Sequence, residues 1–146
     1  MANRHKSRQS ALEILYAWES GGRDQESIPA LLAGRLQQDD RRNQDEIFLR
    51  EAVLHVSTHS DELDVFVTKA VGGRSLDRLG MVELNVLRLA VWELKERLEI
   101  PFKVVINEAL NLSRAYADEH SCAFVNGALD RIARQLRKEE AAAARV

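Results

Sequence analysis

Apolar residues recur every three or four positions through most of this chain of 146 residues, which is the spacing of one face of an α-helix. Paired glycines at Gly21-Gly22, which favour a helix C-terminus, and Pro101, which disfavours helical backbone in the residue before it, divide the pattern into segments. We predict about seven helices. Six cover approximately residues 7–20, 27–36, 61–70, 81–98, 103–117 and 121–138, and the third along the chain buries Leu49, Ala52, Val53 and Val56, with Phe48 beside them.

The fold class follows from these segments. The fifth segment is the most apolar, so we expect it at the centre, and no segment keeps the two-residue alternation of a β-strand for long. We therefore predict an all-α fold, a compact single-domain bundle over residues 1–146. Residues 1–8 would form a basic arm, and the alanine-rich residues 139–146 a frayed tail.

Composition narrows the class of protein. Hydrophobic residues make up 45% of the chain and charged residues 30%, as in an ordinary globular domain. The single cysteine, Cys122, excludes an internal disulfide and fits a reducing cytosol. The N-terminus lacks the apolar core of a signal peptide, and no apolar run approaches the roughly 20 residues that cross a bilayer. We expect a cytoplasmic protein without membrane contact.

The formal net charge of −2 does not indicate nucleic-acid binding, so any phosphate contact must come from a local patch. The first twelve residues supply one, because Arg4, His5, Lys6 and Arg8 occur there without an acid. If the first helix extends backward, Arg4 and Arg8 share a face, and Tyr16 offers a ring on which an RNA base could stack. The alternative is a disordered arm that only increases solubility.

Generic helix packing does not require three residues in the last two predicted helices, Asn107, Asn126 and Gly127. Each asparagine is either exposed or buried as an amide that ties two helices together, and burying an unpaired amide costs about 1–3 kcal/mol. For the asparagines we favour a structural role. Glycine in mid-helix costs about 0.5–1 kcal/mol against alanine, so at Gly127 either another helix crosses closely or a ligand approaches the backbone.

No catalytic or metal-binding motif stands out. His55 and His59 have the i, i+4 spacing of a helical zinc pair, but the glutamate of a His-Glu-x-x-His motif and a third ligand are missing. Cys122 lacks the orienting group and oxyanion site that a catalytic nucleophile needs. The chain also contains no glycine-rich loop for a phosphate or a dinucleotide. We predict that the protein is not an enzyme and that it uses no metal or cofactor.

Four segments of the second half carry polar residues in otherwise apolar helical faces. They are Leu76-Asp77-Arg78-Leu79, Val82-Glu83 to Leu94, Ile100 to Ala109, and Phe124-Val125-Asn126-Gly127. Read in this order, they resemble the NusB family of bacterial transcription antitermination and ribosomal-RNA-processing factors. The basic residues 4–8 resemble the RNA-contacting arm of that family. The resemblance covers about residues 4–18 and 76–132, and the stretch between them is not diagnostic.

The resemblance implies an all-helical fold, pairing with the small-subunit ribosomal protein NusE, and binding of that pair to single-stranded boxA-type RNA of ribosomal-RNA leaders, within the antitermination complex of RNA polymerase. It implies that the ring of Phe124 lies at the RNA surface beside a helix N-terminus, with His120 at its edge; the alternative for Phe124 is a core position. Ala123 stands where we expect many members to carry a basic residue, so this side would bind more weakly. A homodimer of the free protein is left open.

If the family's partner surface is present, it involves Asp77, Arg78 and Glu83 at the start of the fifth helix. The alternative for these three residues is ordinary surface charge and helix capping. Two other classes of protein remain. One is the RNA-binding domain of a ribosomal-RNA cytosine methyltransferase, although no cofactor-binding domain follows before Val146. The other is a helical protein–protein adaptor whose basic arm does not contact RNA.

Overall fold

The computed structural model describes residues 2–72 and 76–144, with the side chain of Asp77 outside that description. Within these ranges the regular structure is helical and contains no named strand, so the predicted all-α class is confirmed. The α-helices are α1 (Arg4–Ser20), α2 (Ile28–Leu36), α3 (Glu46–Thr58), α4 (Ser60–Ala70), α5 (Met81–Glu96), α6 (Phe102–Tyr116), α7 (Glu119–Leu136) and α8 (Lys138–Ala143). Short 3₁₀ helices cover Gln25–Ser27, Asp39–Arg41 and Leu76–Arg78.

The chain divides into two compact units, Met1–His59 and Ser60–Val146. The first unit contains α1, α2 and α3, and the second contains α4 to α8. A single domain over residues 1–146 stays a prediction. None of the helices in the described ranges is long and apolar enough to span a membrane.

In the first unit, α1 packs against both α2 and α3. Most of the apolar positions that the sequence pattern assigned to the core are buried, among them Leu12, Leu15, Phe48 and Val53. Full burial of one such side chain stabilises the fold by roughly 1.5–3 kcal/mol relative to exposure. The hydrophobic spacing therefore located this core correctly.

The first helix begins earlier than predicted, at Arg4. Asn3 caps it, because its side-chain oxygen accepts a hydrogen bond of 3.1 Å from the backbone N–H of Lys6. Ser7, the predicted start, lies inside the helix, where its Oγ accepts from the backbone N–H of Asp45 at 2.7 Å and donates to the carbonyl of Asp45 at 2.9 Å. Residues 4–8 of the predicted basic arm therefore belong to the first turns of α1, which are fixed against the start of α3.

The second unit is built around α5, which packs against α4, α6 and α7. Within this unit α5 is therefore central, as its apolar sequence indicated. The sequence pattern missed the role of Arg88, which is fully buried on this helix. Its Nε and Nη2 donate to the two carboxylate oxygens of Asp64 at 2.7 and 2.8 Å, and Nη1 donates to the side-chain oxygen of Asn85 at 3.2 Å. The buried guanidinium is therefore paired in the bidentate geometry that offsets its loss of solvation.

The prediction of a frayed tail is wrong for residues 139–144, most of which belong to α8. The buried guanidinium of Arg137 holds this helix, because it donates hydrogen bonds to carbonyls at the end of α5 and in the turn that follows. The accepting carbonyls are those of Glu93, Leu94, Arg97 and Ile100. Glu140 accepts from the backbone N–H of Phe102 at 2.8 Å and from Arg137 at 2.6 Å. One ion pair thus caps the end of α5 and the start of α6.

The starts of the other helices differ from the prediction by at most two residues, and α4 and α7 are two examples. Asp61 does not cap α4, which begins at Ser60 and places Asp61 in its first turn. α7 begins at Glu119 and not at Ser121, because Asp118 is its N-cap residue. In both cases the predicted start is within two residues of the observed one, and the buried face of the helix is unaffected.

Candidate nucleic-acid interface

The two arginines predicted to read RNA phosphates, Arg4 and Arg8, both lie against α3. The guanidinium carbon of each is 5.1 Å from the centre of the Phe48 ring, within the range of a cation–π contact. Arg8 is only 5% exposed, so little of its side chain is accessible, and its role in RNA binding stays a prediction. Arg4 pairs with Asp45 at 3.3 Å, but 40% of its side chain remains exposed. The helical face that they share is largely the face that packs on α3.

The remaining predicted residues of α1 are accessible. His5 is exposed, Lys6 is half-buried and Tyr16 is 45% exposed. His5 and Tyr16 are 11 residues apart, close to three helical turns, so they lie on the same side of α1 about 16 Å apart along its axis. This side presents an imidazole and a phenol, and Lys6 and the exposed part of Arg4 lie on its two flanks.

Both acids of α1 are paired with arginines, a feature that the sequence interpretation missed. Arg41 is buried and donates to both carboxylate oxygens of Glu13 at 3.0 and 2.9 Å, while Arg35 Nε lies 2.9 Å from the same carboxylate. Glu19 forms an ion pair with Arg23. Because these partners neutralise the acids, the surface of α1 is more favourable to an anion than its sequence alone indicates.

In the second unit, Asp118 occupies the N-terminus of α7, which was expected to be open to a phosphate. Its carboxylate accepts a hydrogen bond of 2.8 Å from the backbone N–H of Ser121. This backbone bond, with the Ser121 side chain and the nearby charge of His120, lowers the pKa of Asp118 below its usual value of 3.8. The carboxylate is therefore ionised at neutral pH and already fills the anion site at this helix end.

Beyond this cap, His120 and Ala123 are exposed and Phe124 is half-buried. The ring of Phe124 is thus neither a fully buried core residue nor a freely exposed one. Both predicted RNA-contacting residues of this unit retain accessible surface. His120 and Phe124 are four residues apart on α7 and share a face of that helix.

The structural roles proposed for the two asparagines need correction. Asn107 on α6 and Asn126 on α7 are both exposed, so the alternative of a buried amide that ties two helices together is wrong. At Gly127 no helix crosses closely, because an added Cβ would meet only the Nη1 and Nη2 atoms of Arg131, each at 3.8 Å. That distance is ordinary van der Waals contact. Within the described residues, the close crossing of another helix therefore does not explain this glycine.

The residues predicted to bind a protein partner lie at the start of α5. Arg78 is exposed, whereas Glu83 is half-buried and its Oε1 accepts from the backbone N–H of Gly80 at 3.4 Å. Glu83 therefore caps the helix in addition to any role at the surface. The side chain of Asp77 lies outside the described part of the structure.

The histidine pair and the cysteine lie at defined positions. The rings of His55 and His59 are stacked with centroids 4.4 Å apart, and His59 Nδ1 lies 3.3 Å from the carbonyl of His55. Cys122 is buried, and its thiol lies 3.5 Å from the carbonyl of Leu110. In residues 2–72 and 76–144, no group of three or more His, Cys, Asp or Glu side chains is arranged to hold a metal ion.

These features define a small helical protein whose notable surface residues are basic and aromatic. The family model for the NusB family matches residues 5–134, and the chain belongs to that family. A relative from Myxococcus xanthus, the transcription antitermination protein NusB, is 38% identical over 139 residues, which cover 94% of this chain and 99% of the relative. The corresponding protein of Serratia proteamaculans is 35% identical over 95% of this chain and 98% of its own length. The protein is a transcription antitermination factor of this family and not an enzyme.

Solved structures of NusB proteins are also similar to this chain. The structure of T. maritima NusB superimposes with a TM-score of 0.83 at 30% identity, and the match covers 96% of this chain and 98% of that one. A structure of the antitermination factors NusB and NusE in complex with double-stranded RNA matches with a TM-score of 0.77 at 31% identity, over 90% of this chain and 96% of that chain. In that complex a protein similar to this chain is present with NusE and RNA.

Proposed function

We propose that this protein binds boxA-type RNA of ribosomal-RNA leaders together with NusE, and thereby supports transcription and processing of ribosomal RNA. It would act in the cytoplasm, within the antitermination complex of RNA polymerase. Family membership supports the role, and the related complex of NusB, NusE and double-stranded RNA supports the two partners. The observation that carries the proposal in this chain is the surface of α1, where both acids are neutralised while His5, Lys6 and Tyr16 remain accessible.

The exposed ring of Tyr16 favours a single strand over a duplex. Bases of single-stranded RNA can stack on aromatic side chains, whereas those of a duplex are already stacked on one another. The few cations of α1 suit a short strand better than the two phosphate backbones of a helix. Because the related complex contains double-stranded RNA, a duplex is the competing ligand that an experiment must include.

The second part of the proposal is that NusE docks at the start of α5, at Asp77, Arg78 and Glu83. A chain with a net charge of −2 attracts RNA weakly over long distances. If the ribosomal protein is basic, docking would reverse the local field and lengthen the RNA surface. We expect NusE to raise RNA affinity by about 1–3 kcal/mol, and RNA to raise NusE affinity equally, because linkage is reciprocal.

The alternative classes receive less support. The relatives from Myxococcus xanthus and Serratia proteamaculans match over nearly their whole length and are antitermination proteins, which does not favour the RNA-binding domain of a methyltransferase. An adaptor without RNA contact would not need accessible basic and aromatic side chains beside neutralised acids on α1. A homodimer of the free protein stays a prediction that sedimentation velocity over a range of concentrations can test.

The direct test is a titration of the purified protein against labelled single-stranded RNA with a boxA-like sequence. A scrambled strand and a duplex of the same sequence serve as controls, and each series is repeated with NusE. We expect weak binding of the free protein, tighter binding with NusE, and preference for the boxA-like single strand. Binding of none of the three RNAs in either series would reject the proposed function. Preference for the duplex would reject only the proposal that the RNA is single-stranded, and the proposed RNA-binding function would stand.

A further inference from the structure

Five residues of α7 form a line on one side of the helix. They are His120, Phe124, Gly127, Arg131 and Arg134, which follow one another at intervals of four, three, four and three residues. This spacing keeps side chains on a single helical face, and the line is about 21 Å long. We call this set the α7 stripe. His120, Arg131 and Arg134 are exposed, while Phe124 and Gly127 are half-buried.

The centre of the α7 stripe is a glycine that the fold of this unit does not need. Glycine disfavours a helix relative to alanine, so its presence in mid-helix calls for a reason. Gly127 does not have the positive φ that glycine is suited to, and a Cβ there would make only ordinary contacts with the guanidinium of Arg131. What the missing side chain provides is access to the helix backbone from outside.

Arg131 is held in place beside this opening. Its Nε donates a hydrogen bond of 2.8 Å to the carbonyl of Ala70, the last residue of α4. This bond orients the guanidinium so that Nη1 and Nη2 lie 3.8 Å from the position of a Cβ on Gly127. Two N–H donors in a fixed plane match the oxygen atoms of a phosphate group. Arg131 also lines a pocket of about 100 Å³ together with Lys69, which adds a second positive charge.

We propose that an RNA strand runs along the α7 stripe, with its backbone over Gly127 and one phosphate bound by Arg131. The inference rests on the proposed RNA-binding function and extends it to residues that the sequence interpretation did not assign to RNA. Phe124 would stack a base at one end of the path. Arg134 contributes less, because its Nε pairs with Asp130 at 3.0 Å. The positive charge of Arg131 and Lys69 favours a phosphate over an apolar protein segment.

A matched pair of glycines provides the first test. Gly34 on α2 is also a helical glycine, and nothing lies within 4 Å of an added Cβ there. Replacement of either glycine by alanine or glutamine should raise the melting temperature by a few degrees, because both residues favour a helix. Only the variants at Gly127 should bind RNA more weakly, with little loss for alanine and about a tenfold loss for glutamine, the size of one lost base contact. Equal RNA affinity of Gly127→Gln and Gly34→Gln would overturn the inference.

The second test removes the charge of Arg131. Arg131→Gln keeps an N–H that can donate to the carbonyl of Ala70, so the folded structure should be retained, as circular dichroism would show. The loss of one phosphate contact should reduce the slope of log affinity against log salt by about 0.7. The control is Arg50→Gln on α3, which removes the same charge from a half-exposed arginine that lies 3.7 Å from Glu46. A slope that is the same for both variants would contradict a phosphate contact at Arg131.

The outcomes separate this inference from the proposed function. If the unmodified protein binds no RNA with or without NusE, the proposed function fails. If it binds RNA and the variants at Gly127 and Arg131 bind equally well, RNA does not follow the α7 stripe. If Gly127→Gln weakens binding to NusE while RNA binding of the free protein is unchanged, the stripe is a protein surface and the RNA path is rejected.

Discussion

At the scale of single residues, Arg4 and Arg8 show what charge in a sequence does not reveal. Both are basic residues of the first helical turns, yet both rest on the ring of Phe48, and Arg8 is almost completely buried. Helical spacing correctly placed them on one face. It did not show that α3 covers this face, because that contact joins residues about 40 positions apart in the chain. Lys6 and His5, on other sides of the same turn, remain accessible.

Replacement of Arg8 should therefore affect stability more than RNA binding. Arg8→Ala removes a packed aliphatic stem and a cation–π contact, and we expect a loss of about 1–3 kcal/mol in the free energy of unfolding. Lys6→Ala should change stability by less than about 0.5 kcal/mol and reduce the salt slope of RNA binding by about 0.7. Chemical denaturation and RNA titration of both variants measure the two effects. If Arg8→Ala is as stable as the parent and loses RNA binding, Arg8 is a residue that contacts RNA and not one that packs the fold.

Phe124 is the other residue whose role depends on burial. Because its ring is half-buried, we expect Phe124→Ala to lose RNA affinity by about 1–3 kcal/mol through the loss of base stacking. The loss of stability should stay below the roughly 3–5 kcal/mol that a fully buried ring contributes. Thermal melting and RNA titration of this variant distinguish the two. A large decrease in melting temperature with unchanged RNA affinity would make Phe124 a core residue.

At the scale of elements, the sequence pattern found every described α-helix of nine or more residues and missed the shortest α-helix, α8. Periodicity detects α1 to α7 because each of these helices has a buried face. α8 has no buried residue and is held instead by hydrogen bonds that join Arg137 and Glu140 to residues 37 to 44 positions away. The early start of α1 has the same cause, since Ser7 bonds to Asp45, 38 positions further on. Local sequence cannot show bonds whose partners only the fold brings together.

Arg137 should accordingly be among the most sensitive positions of the second unit. Arg137→Ala leaves several carbonyls at the end of α5 without their donor, and we expect a loss of about 3 kcal/mol or more, as for other buried charged groups that lose their bonds. Arg134→Ala, one turn earlier and exposed, is the control and should stay within about 0.5 kcal/mol. Urea denaturation of both variants provides the comparison. Equal stability would show that α8 does not depend on this side chain.

At the scale of the whole molecule, the sequence identified the family and most of the candidate surface residues. The structure then showed which of these residues are accessible and which are buried or paired. It showed that Arg8 is almost completely buried and that Asp118 caps the helix end that was expected to be open to a phosphate. It also showed that the acids of α1 are neutralised. The pairing of Glu13 depends on Arg35 and Arg41 from later elements, so composition and net charge could not predict it.

The partner surface can be tested without loss of the helix cap. Glu83→Gln keeps an oxygen that accepts from the N–H of Gly80 and removes the charge, whereas Glu83→Lys reverses the charge and removes the acceptor. If charge attracts NusE, both variants should associate with it more slowly, and Glu83→Lys more so, with the difference reduced at high salt. Stopped-flow association measures this, and RNA binding of the free protein should be unchanged. Normal association of both variants would place the NusE surface elsewhere.

The capped first turn of α1 has a thermodynamic consequence for recognition. A terminal arm that folds only on its ligand loses conformational entropy at that moment and shows the heat-capacity change of coupled folding. Here Asn3, Ser7 and the ring of Phe48 already order Arg4 and its neighbours in the free protein. RNA binding should therefore leave the helical circular dichroism of the protein unchanged, and calorimetry should show a heat-capacity change no larger than the contact area requires. The recognition surface on α1 is therefore already folded before it binds its ligand.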